Sequence, residues 1–361
     1  MKKYFLSVVA IVYATTFFAQ VQSDIRTATL IHGDQTTVYY GAGAFGDAYN
    51  AAAEEGDVIV LSPGEFGGST YYIRKSITIY GSGYETDPIS GSAPTVMTAI
   101  RICPQNNSDT DEKDVDVYPT VHVEGICFKN ETMTPYAPFV IEGSAKGGTI
   151  ENLLVRKCKI SMHLGIDAAT RNCRFSQCYI LGIEQKGNDG HYRSGTSYYP
   201  QKQLTFENCW IGTTFGGSLE NTIHYDHCII ANGALYSYAH FSNCIINSHL
   251  ADNCTANNCI FASSTIGNDV SGSNNWTGVA LDDIFEDANK GFNYSADNNF
   301  KLKFPHAYIG TDGTEVGING GVSPFNRISP IPRILSSDID ITTSQDGKLK
   351  VSIHVEAQTN K

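Results

Sequence analysis

The feature that most constrains this chain is a cysteine that recurs behind a polar or basic residue. Cys158, Cys178, Cys209, Cys228, Cys244 and Cys259 align as anchors of one repeat. Five positions earlier stand Leu153, Cys173, Leu204, Ile223, Ala239 and Cys254, and three earlier stand Val155, Phe175, Phe206, Tyr225, Phe241 and Ala256. Two positions later stand Ile160, Ile180, Ile211, Ile230, Ile246 and Phe261. Every one of these columns is apolar or small. Just before the anchors sit Lys157, Gln177, Asn208, His227, Asn243 and Asn258. The pattern is a period-two strand, a turn that shifts the phase, and a second period-two strand. Asparagine suits such a turn because it tolerates left-handed dihedrals. Stacked asparagine amides are expected to hydrogen-bond along the pile.

An earlier copy, "VHVEGICF", fits the frame with Ile126 as anchor and Cys127 on the outward phase. From that copy onward the anchor spacings are 32, 20, 31, 19, 16 and 15 residues. Short strands in a variable repeat, with insertions at the turns, describe an all-β parallel solenoid whose equivalent residues stack ~4.8 Å apart. The cysteines then read as packing. Parallel stacking aims thiols side by side rather than at each other, so a buried ladder of free thiols is expected instead of a ladder of bridges. Cys103 and Cys127 lie outside the column, and a disulfide between them stays open. No C-x-x-C occurs, and inward thiols cannot join outward histidines, so no metal site is expected.

The flanking segments complete the architecture. Residues 1–19 read as a secretory signal peptide, with cleavage as late as 23: Lys2 and Lys3 precede an apolar run too short for a membrane span. Export to the periplasm, cell surface or medium follows. Residues 24–56 hold a strand and a helix in which Phe45, Ala48, Tyr49, Ala52 and Ala53 recur at helical spacing. Laid across the first coil, that helix would shield open strand edges. Residues 57–325 form the solenoid. Residues 326–361 alternate apolar and polar around Asp346-Gly347 and read as a β-hairpin tail packed on the solenoid. The formal net charge of −12 argues against a nucleic-acid partner, and the exported chain is expected as a monomer.

The outward columns carry the functional candidates. Four positions before the anchors stand Leu154, Arg174, Thr205, His224, His240 and Thr255, and two before stand Arg156, Ser176, Glu207, Asp226, Ser242 and Asn257. His224 and His240 should therefore stack, flanked by Glu207 and Asp226, as acid–base candidates on an otherwise solvated face. One position after the anchors, Lys159, Tyr179, Trp210, Ile229, Ile245 and Ile260 form an outward apolar stripe. It is either covered, with the tail as the expected cover, or it is a sugar platform built on Trp210 and Tyr179. The insertion from Gln185 to Lys202 adds His191, Tyr192, Arg193, Tyr198 and Tyr199 as ligand candidates. The acidic run from Asn106 to Val117 is a weak match to a calcium loop, lacking the glycine and terminal glutamate of an EF-hand. No other cofactor is implied.

The stretch "FGDAYNAAAEEGDVIVLSPGEF", with "SITIYGSGYET", "VHVEGICFKN" and the Asn-Cys coils, resembles the pectin-lyase-like right-handed parallel β-helix proteins. "GTDGTEVGINGGVSPF" looks like the closing segment of secreted bacterial members of unknown function. The resemblance implies the fold and a site on the outer face of the coils. It also implies a choice among polysaccharide lyases, glycoside hydrolases, esterases and non-catalytic adhesin-like proteins. The family's G-H-G and R-I-K motifs are absent, and "NDGH" is only a partial echo, so no catalytic residue carries over. The expectation is a protein that binds glycan or another surface ligand, with or without catalysis. A lyase or hydrolase using His224, His240, Asp226 and Glu207, or His191 and Arg193, is the alternative, and an adhesin-like spacer the third.

Overall fold

A computed structural model describes residues 26–53, 56–105, 117–129, 137–143, 148–186, 192–193, 201–213, 223–232, 238–328, 331–339, 342, 344 and 346–356. The signal segment, residues 106–116 of the acidic run, and His191, Tyr198 and Tyr199 lie outside them.

The chain is a parallel β-solenoid built of two long sheets. The 13-stranded sheet runs from Val58–Leu61 through Ile77–Tyr80, Val121–Glu124, Leu154–Arg156, Ala169–Ser176, Gln201–Glu207, Ile223–Asp226 and Ala239–Ser242 to Thr255–Asn257 and Ser271–Ser273. The 11-stranded sheet runs alongside, from Gly64–Ile73 and Thr95–Ile102 through Ile126–Phe128 to Ile260–Phe261. At its front the first sheet ends in an antiparallel pair: Thr27–His32 lies against Val58–Leu61, and Gln35–Tyr40 against Thr27–His32. The helix Ala44–Ala51 adds Ala44, Phe45 and Ala48 to the core. No helix among the described residues is long and apolar enough to cross a membrane.

The repeat frame read from the cysteines is the register of the fold. Phe175, Phe206, Tyr225 and Phe241 are successive Cα partners, and their rings stack with centroids 5.1, 5.0 and 4.8 Å apart. Each such aromatic pair contributes about 0.5–1.5 kcal/mol beyond area burial. Ile160, Ile180, Ile211, Ile230, Ile246 and Phe261 form the matching column of the other sheet. The six anchor cysteines are fully buried and free, and Cys103 and Cys127 are free at 2% and 7% exposure. Five of the six anchor thiols donate to a carbonyl one coil back, Cys228 Sγ to Phe206 O and Cys244 Sγ to Tyr225 O both at 3.3 Å, while Cys259 Sγ donates to Asn257 O. Burial raises the pKa of Cys178, Cys228 and Cys259, and that of Cys173 to about 11. The ladder continues one rung past the cysteines. Trp276 N donates to Cys259 O just as Ile260 N does to Cys244 O, so Asn275 fills the next anchor place. There Asn275 Oδ1 accepts from Cys259 N, and its Nδ2 donates to Ala256 O.

Lys157, Gln177, Asn208, His227, Asn243 and Asn258 all have φ between 48° and 56°. A second left-handed column, at Asn152, Asn172, Gln203, Tyr238 and Asn253, lies five residues earlier, within or just before the strands that lead to these turns. Along that second column Asn172 Nδ2 donates to Asn152 Oδ1 at 2.6 Å, the stacking expected of such amides. The first column stacks in the same way at its end, where Asn274 Nδ2 donates to Asn258 Oδ1 at 3.4 Å, but along the rest of it the segment after the last coil docks. Gln177 Nε2 donates to Ser323 O and Pro324 O, Asn208 Nδ2 to Ile318 O (3.0 Å) and Gly320 O (2.8 Å), and Asn258 Nδ2 to Ile309 O. Asn243 exchanges bonds with Thr311 and accepts Gly317 N on its carbonyl at 2.7 Å. Close approach explains two glycines of "GTEVGINGG", Gly317 and Gly320. A Cβ on Gly317 would lie 2.4 Å from Ile245 Cδ1, and one on Gly320 would lie 1.7 Å from Glu315 O.

Candidate functional site

Two outer flanks compete for the role of site. On the 11-stranded sheet, the apolar stripe is covered. Ile284, Phe285, Phe292, Phe300, Leu302, Val316 and Ile318 join Trp210, Ile229, Ile245 and Ile260 in a second buried cluster, with Tyr179, Tyr294 and Phe325 packed on it. The cover thus comes from residues 281–325, ahead of the tail expected there. The tail strands Arg333–Ile339 and Val351–Glu356 pair with each other, and all six residues of the second are exposed.

This cover removes the sugar platform. Trp210 is 4% exposed, and its Nε1 donates to Phe292 O at 2.9 Å. Tyr179 stacks on it at 4.7 Å, and Tyr294 meets both rings, 4.2 Å from Tyr179 and 5.8 Å from Trp210. Both rings are spent on packing the cover, which leaves no ring face of Trp210 open for a ligand. A charged knot holds the far end: Glu85 accepts from Tyr294 Oη at 2.8 Å and lies 3.5 Å from Lys159 Nζ and 3.7 Å from Arg327. Lys159 and Arg327 also sit over the Tyr294 ring.

The flank of the 13-stranded sheet stays open. His224 pairs with His240 in register, and their rings stack 4.9 Å apart at 17°. His224 is exposed and His240 partly so. Burial and the neighbouring His240 hold the His224 pKa below the usual histidine value, against the pull of Asp226. Glu207 and Asp226 are partners in the next column, as expected. They are not free acid–base groups, however. Glu207 is ion-paired to Arg174, although burial still pushes its carboxyl up. Asp226 Oδ1 accepts from Asn243 Nδ2 at 2.9 Å and lies 3.2 Å from His227 Nδ1. The histidine pair is thus brought together, while its two carboxylates are turned toward other partners.

Register extends this flank beyond the residues singled out in the sequence. Leu154 pairs with His122, and Arg156 with Glu124. His122 lies edge-on to Tyr80 and 3.3 Å from Glu124. The same outward offsets, carried one and two coils earlier, would have found them. His163 and Glu184, 3.0 Å apart on the other sheet, escaped because a bulge after Ile160 breaks the frame. Of the insertion, Tyr192–Arg193 form a two-residue strand antiparallel to Gln185 and Lys186.

His227 is a buried member of the turn column, with its side chain 3% exposed. Nδ1 faces Asp226, while Nε2 lies 3.2 Å from Thr314 Oγ1 and 3.6 Å from Asp312. Burial opposes its charge, but the Asp226 hydrogen bond and the charges of Asp226 and Asp312 outweigh it and raise the pKa. The residue locks the closing segment to the coils. No group of three or more metal-ligating side chains occurs among the described residues. No family model, curated protein or solved structure matches the chain.

Proposed function

We propose that the protein is an exported, right-handed parallel β-helix of the pectin-lyase-like kind, its first coil capped by the helix Ala44–Ala51, that binds a glycan along the open flank. One observation carries this reading: successive coils line that flank with partly exposed hydrogen-bonding side chains in strict register, centred on the His224–His240 stack. Rungs repeat at ~4.8 Å, a ladder suited to a chain ligand that offers hydroxyls at regular intervals. Each bond contributes about 0.5–1.5 kcal/mol net, so affinity would build over several rungs. A glycan array with the secreted chain and a His224→Ala/His240→Ala variant tests it. The native chain should retain a defined set of glycans, and the variant should lose them. Retention of nothing, or equal retention by the variant, would sink the reading.

A polysaccharide lyase or hydrolase is the second reading, favoured by the lowered pKa of His224. A neutral imidazole at pH 7 can accept a proton. Incubation with uronic-acid polysaccharides separates the two: a lyase releases unsaturated products that absorb ultraviolet light, and a hydrolase releases reducing ends without that absorbance.

A further inference from the structure

We propose that a pocket on the segment covering the apolar stripe binds a small zwitterion, with an ammonium and a carboxylate on one carbon as in a free α-amino acid. The pocket is an open surface depression of about 440 Å³ lined by Glu286, Lys301, His306 and Glu315, with Leu302 and Ile309. Its walls are fixed by two antiparallel bridges, Phe285 with Leu302 and Ile309 with Glu315. Phe285 and Leu302 are buried toward the stripe at 2% and 3% exposure, so alternation turns Glu286 and Lys301 to the outside. Glu286 N donates to Lys301 O at 2.9 Å, and Gly310 N to Thr314 O at 2.7 Å. The charged groups therefore stand on backbone that is already tied down.

Glu286, Lys301, His306 and Glu315 make no side-chain hydrogen bond or ion pair with one another or with other described residues. Four groups of both signs line one depression without neutralising each other at contact. A simple anion entering there would face two glutamates, and a simple cation would face the Lys301 ammonium. A dipolar ligand gives each sign its complement, and charge complementarity of this kind selects against both monopolar competitors. Burial and the nearby Glu286 push the Glu315 carboxyl up, against the pull of His306 and Lys301. An ammonium between the two glutamates would relieve that crowding. The proposal is independent of the polar flank, which lies on the other sheet.

Titration calorimetry on the full chain, with L-leucine as the probe for a depression edged by Leu302 and Ile309, provides the test. L-leucinamide lacks the carboxylate and stands for the N-terminal residue of a peptide. N-acetyl-L-leucine lacks the ammonium and stands for a C-terminal one. Leucine should bind at least about tenfold tighter than either analogue, since each loses one set of charge-assisted bonds. Glu315→Gln and Lys301→Met should each weaken leucine about tenfold and leave the denaturation midpoint unchanged. The absence of binding to leucine would overturn the proposal. So would an analogue that matches leucine, or affinity that survives both substitutions.

Discussion

The two outer flanks of the solenoid are made by the same repeat and end in opposite states. On one, the outward column Tyr179, Trp210, Ile229, Ile245 and Ile260 is apolar and lies under residues 281–325. On the other, the outward columns through Arg174, Glu207, His224 and His240 are polar and remain partly open. Strand phase makes both flanks outward; it does not decide which is covered. That decision falls to the turn column beside the anchors, whose amides at Gln177, Asn208 and Asn258 bond the backbone of the closing segment. The second left-handed column has comparable dihedrals but no such segment among the described residues, and there Asn172 bonds to Asn152. Identical turn chemistry thus serves as a docking rail on one side and a simple corner on the other.

The covered flank should be the more fragile. Trp210→Ala empties the centre of the second cluster and orphans Phe292 O, and is expected to cost about 3–5 kcal/mol. Chemical denaturation measures this, and a loss below 1 kcal/mol would mean that the cover contributes little. Asn208→Ala combines a left-handed alanine with two unpaired buried carbonyls, for an expected cost of about 2–4 kcal/mol. Asn172→Ala, made in the other turn column, loses one exposed amide bond to Asn152 and leaves no buried carbonyl unpaired, so it bears little beyond the dihedral penalty of about 1–2 kcal/mol. Equal losses at the two positions would erase the distinction between rail and corner.

His227 adds a pH dependence to the rail alone. Its folded pKa is raised above the usual value of 6.5, so the stabilisation is fully present below that value and fades as pH rises through the folded pKa. Stability measured across that window should decline with rising pH in the native chain, and the His227→Gln variant should lack that component. An unchanged slope in the variant would assign the effect to another group. The smallest effect belongs to the open flank, where His224→Ala/His240→Ala should shift stability by less than about 0.5 kcal/mol. A large loss there would make the stacked pair a structural element rather than a binding surface.

Much of this was legible in residue order. The six anchor cysteines, the inward aromatic column and the left-handed turns were readable because period two and a tight turn are local properties of the chain. So was the juxtaposition of His224 with His240, since equal offsets in successive coils must stack. The identity of the cover was not legible. The tail advertised itself by alternation, whereas "GTDGTEVGINGG" has none. That segment docks through its own carbonyls, which every residue possesses, and through glycines that leave room for Ile245 and His227. A contact written in backbone atoms leaves almost no side-chain signature. For the same reason Trp210, outward by phase, could be read as a platform until Phe292 was placed over it.

The sequence by itself determined the coil: which residues face inward, where the chain turns, and that the anchor thiols pack side by side instead of bridging. These follow from interactions within about one coil, where sequence spacing and spatial spacing agree. Only the tertiary structure decided which outward column is surface. Trp210 meets Phe292 from 82 residues away, and Gln177 meets Pro324 from 147 away. Over such separations no periodicity links the partners. The fit is set by the shape and free hydrogen-bonding groups of a surface that exists only once the coils have stacked.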